Sequence, residues 1–121
     1  MEIALWIVQV LLALAFGLAG AVKFTQPKEK LAPRMKWVED FAPAIIKAIG
    51  AVEVLGALGL ILPALTGILP ILTPLAAVGL VLTMIGASLT HLRLREYPGI
   101  AVNVVLLALA AFVAYGRFIN L

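Results

Sequence analysis

Four apolar blocks set the limits on what this chain can fold into. Residues 3–22, 45–62, 74–92 and 100–115 run for 16 to 20 residues each, and the only charged side chains within them are Lys47, near one end, and Glu53. Each approaches the ~20 residues that an α-helix needs to cross ~30 Å of hydrocarbon. Strands that face lipid alternate apolar and polar residues, whereas Ala51 to Leu62 is apolar almost throughout, so the blocks read as helices. Composition agrees, because 12% of the residues are charged, against about a quarter in a soluble domain. The expected fold is an all-α bundle of four transmembrane helices in a single domain, with spans over about residues 3–24, 45–62, 74–92 and 100–117. A first block with no Lys or Arg in residues 1–8, and longer than a usual signal-peptide core, reads as a retained helix.

Charge and composition remove several function classes. The net charge is +3, but the basic residues sit between apolar blocks and form no stripe with exposed aromatics, which argues against nucleic-acid binding. The absence of cysteine excludes a disulfide framework, a thiolate metal site and a thiol relay carried by this chain alone. A single histidine is too few for a bis-histidine haem within one protomer, and no residue set suggests a metal site.

The charges instead describe topology. Ten of the 15 fall between Lys23 and Glu53 and three between Arg93 and Glu96, leaving Glu2 and Arg117. With four spans, the first and third connections share one side, and that side carries eight of the nine Lys and Arg residues. By the positive-inside rule this side is cytoplasmic and both termini face outward, as in a multi-pass protein of the inner (plasma) membrane. Prolines mark the connections: Pro27, Pro33 and Pro43 in the first, Pro63, Pro70 and Pro74 around the uncharged second, Pro98 before the fourth span, and none inside a span. In the first connection Met35, Val38, Phe41 and Ala42 recur at helical spacing among charged residues. A short amphipathic interfacial segment is expected there, with Trp37 as its membrane anchor, either as a connector or as a lid over a cavity.

Polar groups inside the spans are few. Glu53 lies eight residues past Ile45, ~12 Å below the boundary at the helical rise. A carboxyl group at that depth faces other helices or water and is a functional candidate, with a protonated structural acid as the alternative. Thr83, at matching depth, is available as its hydrogen-bond partner. Asn103 sits about a turn inside the fourth span, where an amide needs a partner. His91 ends the third span, and Lys23 ends the first, where a lysine ordinarily snorkels to the headgroups. Taken by depth, with Lys23 and His91 near the boundary, Asn103 ~5 Å in and Glu53 ~12 Å in, these four groups from four helices cannot all touch directly. That separation implies a cavity in the cytoplasmic half, floored by Glu53, flanked by Gly17 and Ala108 and walled by Phe16 and Phe24. Glu53 would stay protonated there unless Lys23 or another cation came close.

The segments Gly20-Ala-Val-Lys23-Phe, Ile49-Gly-Ala-Val-Glu53-Val-Leu-Gly-Ala-Leu-Gly-Leu-Ile-Leu-Pro and Met84-Ile-Gly-Ala-Ser-Leu-Thr-His91-Leu-Arg, with Asn103 in the last span, resemble the DoxX and DoxX-like family of small four-helix membrane proteins. The resemblance covers almost the whole chain. It implies association with quinone-linked oxidoreductase systems, a quinone as ligand and a soluble or membrane redox subunit as partner. In that setting Glu53 is a proton relay, His91 or Asn103 a donor to a carbonyl, and Lys23 and Thr83 further ligand contacts. The competing expectation is a non-enzymatic oligomeric carrier or scaffold with Glu53 as a proton or cation site. In either case the bilayer is the protein's solvent, and a homo-oligomer is a further expected assembly.

The charge distribution predicts that a cysteine added after Leu121 reacts with an impermeant maleimide on intact cells, while one placed near Lys30 is protected. Labelling of the opposite pattern would overturn the orientation.

Overall fold

The computed structural model describes all 121 residues. Helix α1 spans Glu2–Thr25, α2 is a single turn at Lys28–Leu31, a 3-10 helix follows at Lys36–Asp40, and α3, α4 and α5 span Pro43–Thr66, Leu72–Arg93 and Tyr97–Ile119. The four long helices run for 22 to 24 residues and are long and apolar enough to cross a membrane. At 1.5 Å per residue they are about 33 to 36 Å long, enough to span the hydrocarbon. The protein is a multi-pass membrane bundle.

Only 24 of the 121 residues are buried, and most of the exposed large side chains on the spans are aliphatic. A bundle in lipid needs no polar exterior, so each helix turns one narrow stripe inward. On α1 the stripe is Leu5, Gln9, Leu12, Phe16 and Gly20, spaced three or four apart. Leu12 and Phe16 meet Leu60 of α3, Leu80 of α4 and Val113 of α5 in the core.

The helices form a ring in the order α1, α3, α4, α5, with closest packing inside the pairs α1/α3 and α4/α5. In α1/α3 the backbones touch where both helices carry glycine. A Cβ on Gly20 would lie 2.6 Å from the Gly50 carbonyl oxygen, and one on Gly50 would lie 2.6 Å from that of Gly20. Small residues admit such an approach, which van der Waals packing then holds in a solvent that offers no hydrophobic drive. The pair α4/α5 is joined by a tight turn with Arg95 at φ 59, closed by the Glu96 N–H donating to the His91 carbonyl at 2.8 Å.

Proline placement departs from the sequence expectation. Pro63 lies inside α3 and Pro74 in the first turn of α4, so the uncharged connection is only residues 67–71. Gly67, at φ 74, ends α3 in the left-handed conformation. A proline at 63 cannot donate to the carbonyl of Gly59. The Thr73 hydroxyl of α4 donates to that carbonyl instead, at 2.9 Å. Hydropathy alone could not show this, because the repair comes from the neighbouring helix.

Further polar bonds close the same end. Gln9 Nε2 donates to the Leu60 carbonyl at 2.6 Å, Arg117 Nε donates to Gln9 Oε1 at 2.7 Å, and Arg117 Nη1 reaches Glu2 at 2.7 Å. At the charged end the first connection folds back onto the bundle. Leu31, Val38 and Ile46 form a small second core, and Lys28 Nζ donates to the Phe41 carbonyl at 2.8 Å.

Thr73→Val leaves the Gly59 carbonyl unpaired in a dry site and is expected to cost ~1–3 kcal/mol. Thr66→Val removes a bond to its own helix and an exposed one from the Ile68 N–H, but none between helices, and is the control. Equal thermal unfolding of Thr73→Val and the unsubstituted protein in detergent would refute the repair.

Candidate ligand cavity

A cavity of about 580 Å³ lies at the charged end, bordered by all four long helices and by the first connection. Its volume falls in the range of small-molecule sites. Lys23, Trp37, Glu53, Thr83, His91 and Asn103 all line it, together with a largely apolar remainder.

Lys23 and Glu53 are in direct contact, contrary to the depth reading. Lys23 Nζ donates to Glu53 Oε1 at 2.6 Å, with the two side chains 13% and 2% exposed. The apolar block ends at Val22, but α1 continues to Thr25, so Lys23 stands inside the helix. Its Cβ lies 3.0 Å from where a Cβ on Gly50 would be, about three residues or ~4.5 Å of rise from Glu53. The flexible stem of the lysine covers that interval by pointing inward, in place of snorkelling. Gly20, and not Gly17, is the glycine at the level of Glu53: a Cβ on Gly20 would meet Glu53 Cβ at 2.9 Å. Lys23 is thus the nearby cation for which the expectation of a neutral Glu53 made exception, and the two side chains form a salt bridge.

The remaining groups are placed as follows. Thr83 lines the cavity, but its hydroxyl donates to the Gly79 carbonyl of its own helix at 2.9 Å and not to Glu53. His91 Nδ1 lies 3.2 Å from Glu96 Oε1. The ring packs so closely on Gly99 that a Cβ there would come within 2.8 Å of it. Asn103 is 8% exposed and its Nδ2 has no hydrogen-bond partner. Ala108 is exposed and lines no part of the cavity, and Leu106 takes its place on α5. Phe16 is a wall as expected, whereas Phe24 is half-exposed and lies under Lys47 Nζ.

The second aromatic wall comes from the connection. Trp37 and Phe41 meet edge to face with centroids 5.6 Å apart, and Lys23 Nζ lies 5.7 Å from the Trp37 ring. Trp37 is thus half-buried against the cavity as well as sited in the connection. Its spacing of four from Phe41 was the available signal. Gln9 and Arg117 were not singled out by sequence, although a glutamine in the middle of an apolar block is itself a cue to an interhelical bond.

The sequence profile of the DoxX-like family matches residues 7–113, a stretch that contains every residue lining the cavity. No curated protein and no solved structure matches the chain significantly.

Removing one partner of a buried ion pair strands the other charge, at ~3–5 kcal/mol, whereas replacing both with apolar residues is often tolerated. Lys23→Met and Glu53→Leu alone are therefore each expected to lower the melting temperature more than the double variant does. Additive losses in that cycle would show that the two side chains are not coupled.

Proposed function

The chain belongs to the DoxX-like family, and from that premise we propose that it is the membrane component of a quinone-linked redox system, with the charged-end cavity as its quinone site. The supporting observation is Asn103, a buried amide with a free N–H donor in an otherwise largely apolar cavity. An unpaired buried donor costs free energy, and a carbonyl oxygen entering the cavity would recover it. Lys23 adds a second donor, since an ammonium has three N–H bonds and Glu53 takes one. Phe16, Trp37 and Phe41 offer faces and edges to a flat ring. These residues suit a neutral aromatic-sized head with carbonyl oxygens.

A bound quinone supplies two-electron acceptor chemistry, with electrons delivered by a partner subunit because this chain carries no redox centre of its own among its residue types. The chain's own contribution is to bind and orient. Asn103 Nδ2 would fix one oxygen and Lys23 Nζ would stabilise negative charge on an oxygen, with Glu53 holding the ammonium in place. The positive-inside distribution supports a cytoplasmic position for this end, and with it a partner that docks on the charged connections of an inner-membrane protein. A carrier or scaffold with Glu53 as a free ion site has less support, because Lys23 already occupies the carboxylate.

The test compares lipids that co-purify with the unsubstituted protein and with Asn103→Leu, by mass spectrometry against total membrane extract. Quinone enrichment is expected in the former and a loss of about tenfold in the latter, ~1.4 kcal/mol, with unchanged thermal stability. Absence of enrichment in both would remove the quinone reading.

A further inference from the structure

We infer that the cavity is entered from the side: its ligand is a chain-bearing amphiphile whose head sits at Lys23 and Asn103 and whose chain leaves between α3 and α4, past Gly86, into the bilayer. This deepens the reading of the cavity as a ligand site and rests on it.

The two helices meet tightly at one end only. Toward the uncharged end a Cβ on Gly59 would lie 2.7 Å from Ala76 Cβ, and one on Gly56 would lie 2.7 Å from Leu80. Toward the charged end that contact is lost. Gly86 lines the cavity, yet a Cβ placed on it meets no atom within 4 Å. The rim is formed by side chains that border the cavity and are exposed at the same time: Ile45 and Val52 of α3, each 49% exposed, and Leu82 of α4 at 63%. In a membrane-spanning bundle such exposed aliphatic residues face hydrocarbon, so the opening is to lipid. The aqueous end is covered differently. Trp37 and Phe41 lie across it, and the Arg93–Asp40 contact at 3.7 Å joins the two charged connections above.

Chemistry follows from this arrangement. The charged pair and the unpaired amide come from α1, α3 and α5, whereas the α4 hydroxyls beside the mouth, Thr83 and Thr90, are bonded within their own helix to the Gly79 and Gly86 carbonyls. An occupant is therefore polar at the end that meets Lys23 and Asn103 and apolar at the other. A site of about 580 Å³ accommodates a drug-sized head but no long chain in full. The remainder of a chain can leave over the bare backbone of Gly86. Glycine is unfavourable in a helix by ~1 kcal/mol relative to alanine, and nothing packs against this one. Its lack of a side chain serves the opening.

Gly86→Phe tests the route, since the added ring has room to form and improves helix propensity. Trp6→Phe leaves Trp37, inside the cavity, as the single tryptophan. In lipid nanodiscs its fluorescence is titrated with duroquinone, a ring without a chain, and with decylubiquinone, a related ring with one. A third arm uses phosphatidylcholine brominated along its acyl chains. With Gly86 intact, both quinones are expected to quench Trp37. Gly86→Phe is expected to weaken decylubiquinone about tenfold and leave duroquinone unchanged. Unchanged decylubiquinone quenching, or equal weakening of both, overturns the side route. If neither quinone quenches with Gly86 intact, the quinone reading fails on its own. The brominated lipid then decides the route: quenching lost in Gly86→Phe supports it, and quenching retained overturns it.

Discussion

A lysine and a glutamate placed within hydrocarbon organise this bundle. Either charge alone would be costly at that depth, and each must find the other before its helix can settle. The contact between Lys23 and Glu53 requires α1 and α3 to lie nearly backbone to backbone, which Gly20 and Gly50 permit. A side chain at either glycine would meet the facing carbonyl oxygen at 2.6 Å and push the helices apart. The glycines and the ion pair are thus one device. Packing supplies proximity, and the Coulombic contact sets register and keeps Lys23 facing inward.

Once that pair is fixed, the two ends of the bundle take different characters. At the uncharged end Thr73, Gln9, Arg117 and Glu2 tie neighbouring helices together, and Arg117 also lies 5.3 Å from the Trp6 ring. Gly116 lets Leu5 approach so closely that a Cβ there would lie 2.5 Å from it. At the charged end the α1/α3 and α4/α5 pairs enclose a cavity, and an exposed contact between Arg93 and Asp40 joins their connections. Exposed ion pairs contribute little, ~0–1 kcal/mol. The polar ties at the far end thus add to the Lys23–Glu53 pair, which joins α1 and α3 at the cavity end.

The parts of this arrangement visible in the sequence were those set by solvent. Four spans follow from the length of apolar runs, because a bilayer imposes one thickness on every helix. Six of the residues that line the cavity were singled out for being polar, or aromatic and interfacial, in or beside those runs. Their mutual distances were not legible, because depth along a helix says nothing about how far a long side chain reaches. Lys23, placed near the end of the first expected span, shows this: its stem turns inward. Pro63 shows a second limit, since the donor that satisfies the Gly59 carbonyl comes from the next helix in the ring. Assigning Thr83 to Glu53 failed for a related reason: a helical threonine has its own i−4 carbonyl within reach, here that of Gly79.

Pairing also changes what Glu53 can do. An isolated carboxylic acid in a dry cavity is a neutral donor that can also release a proton. Bound to Lys23, it becomes the fixed counter-charge of an ammonium, and the cavity presents a positioned cation inside a neutral pair. Such a site attracts the partial negative charge of a carbonyl oxygen through the remaining ammonium N–H bonds. It gains little from a full anion, whose charge the nearby carboxylate repels. With the unpaired Asn103 amide as a second donor, the site we propose would favour neutral, lipid-soluble carbonyl compounds over phosphates or carboxylates. The fold alone carries no such preference. It comes from one lysine turned inward by two glycines.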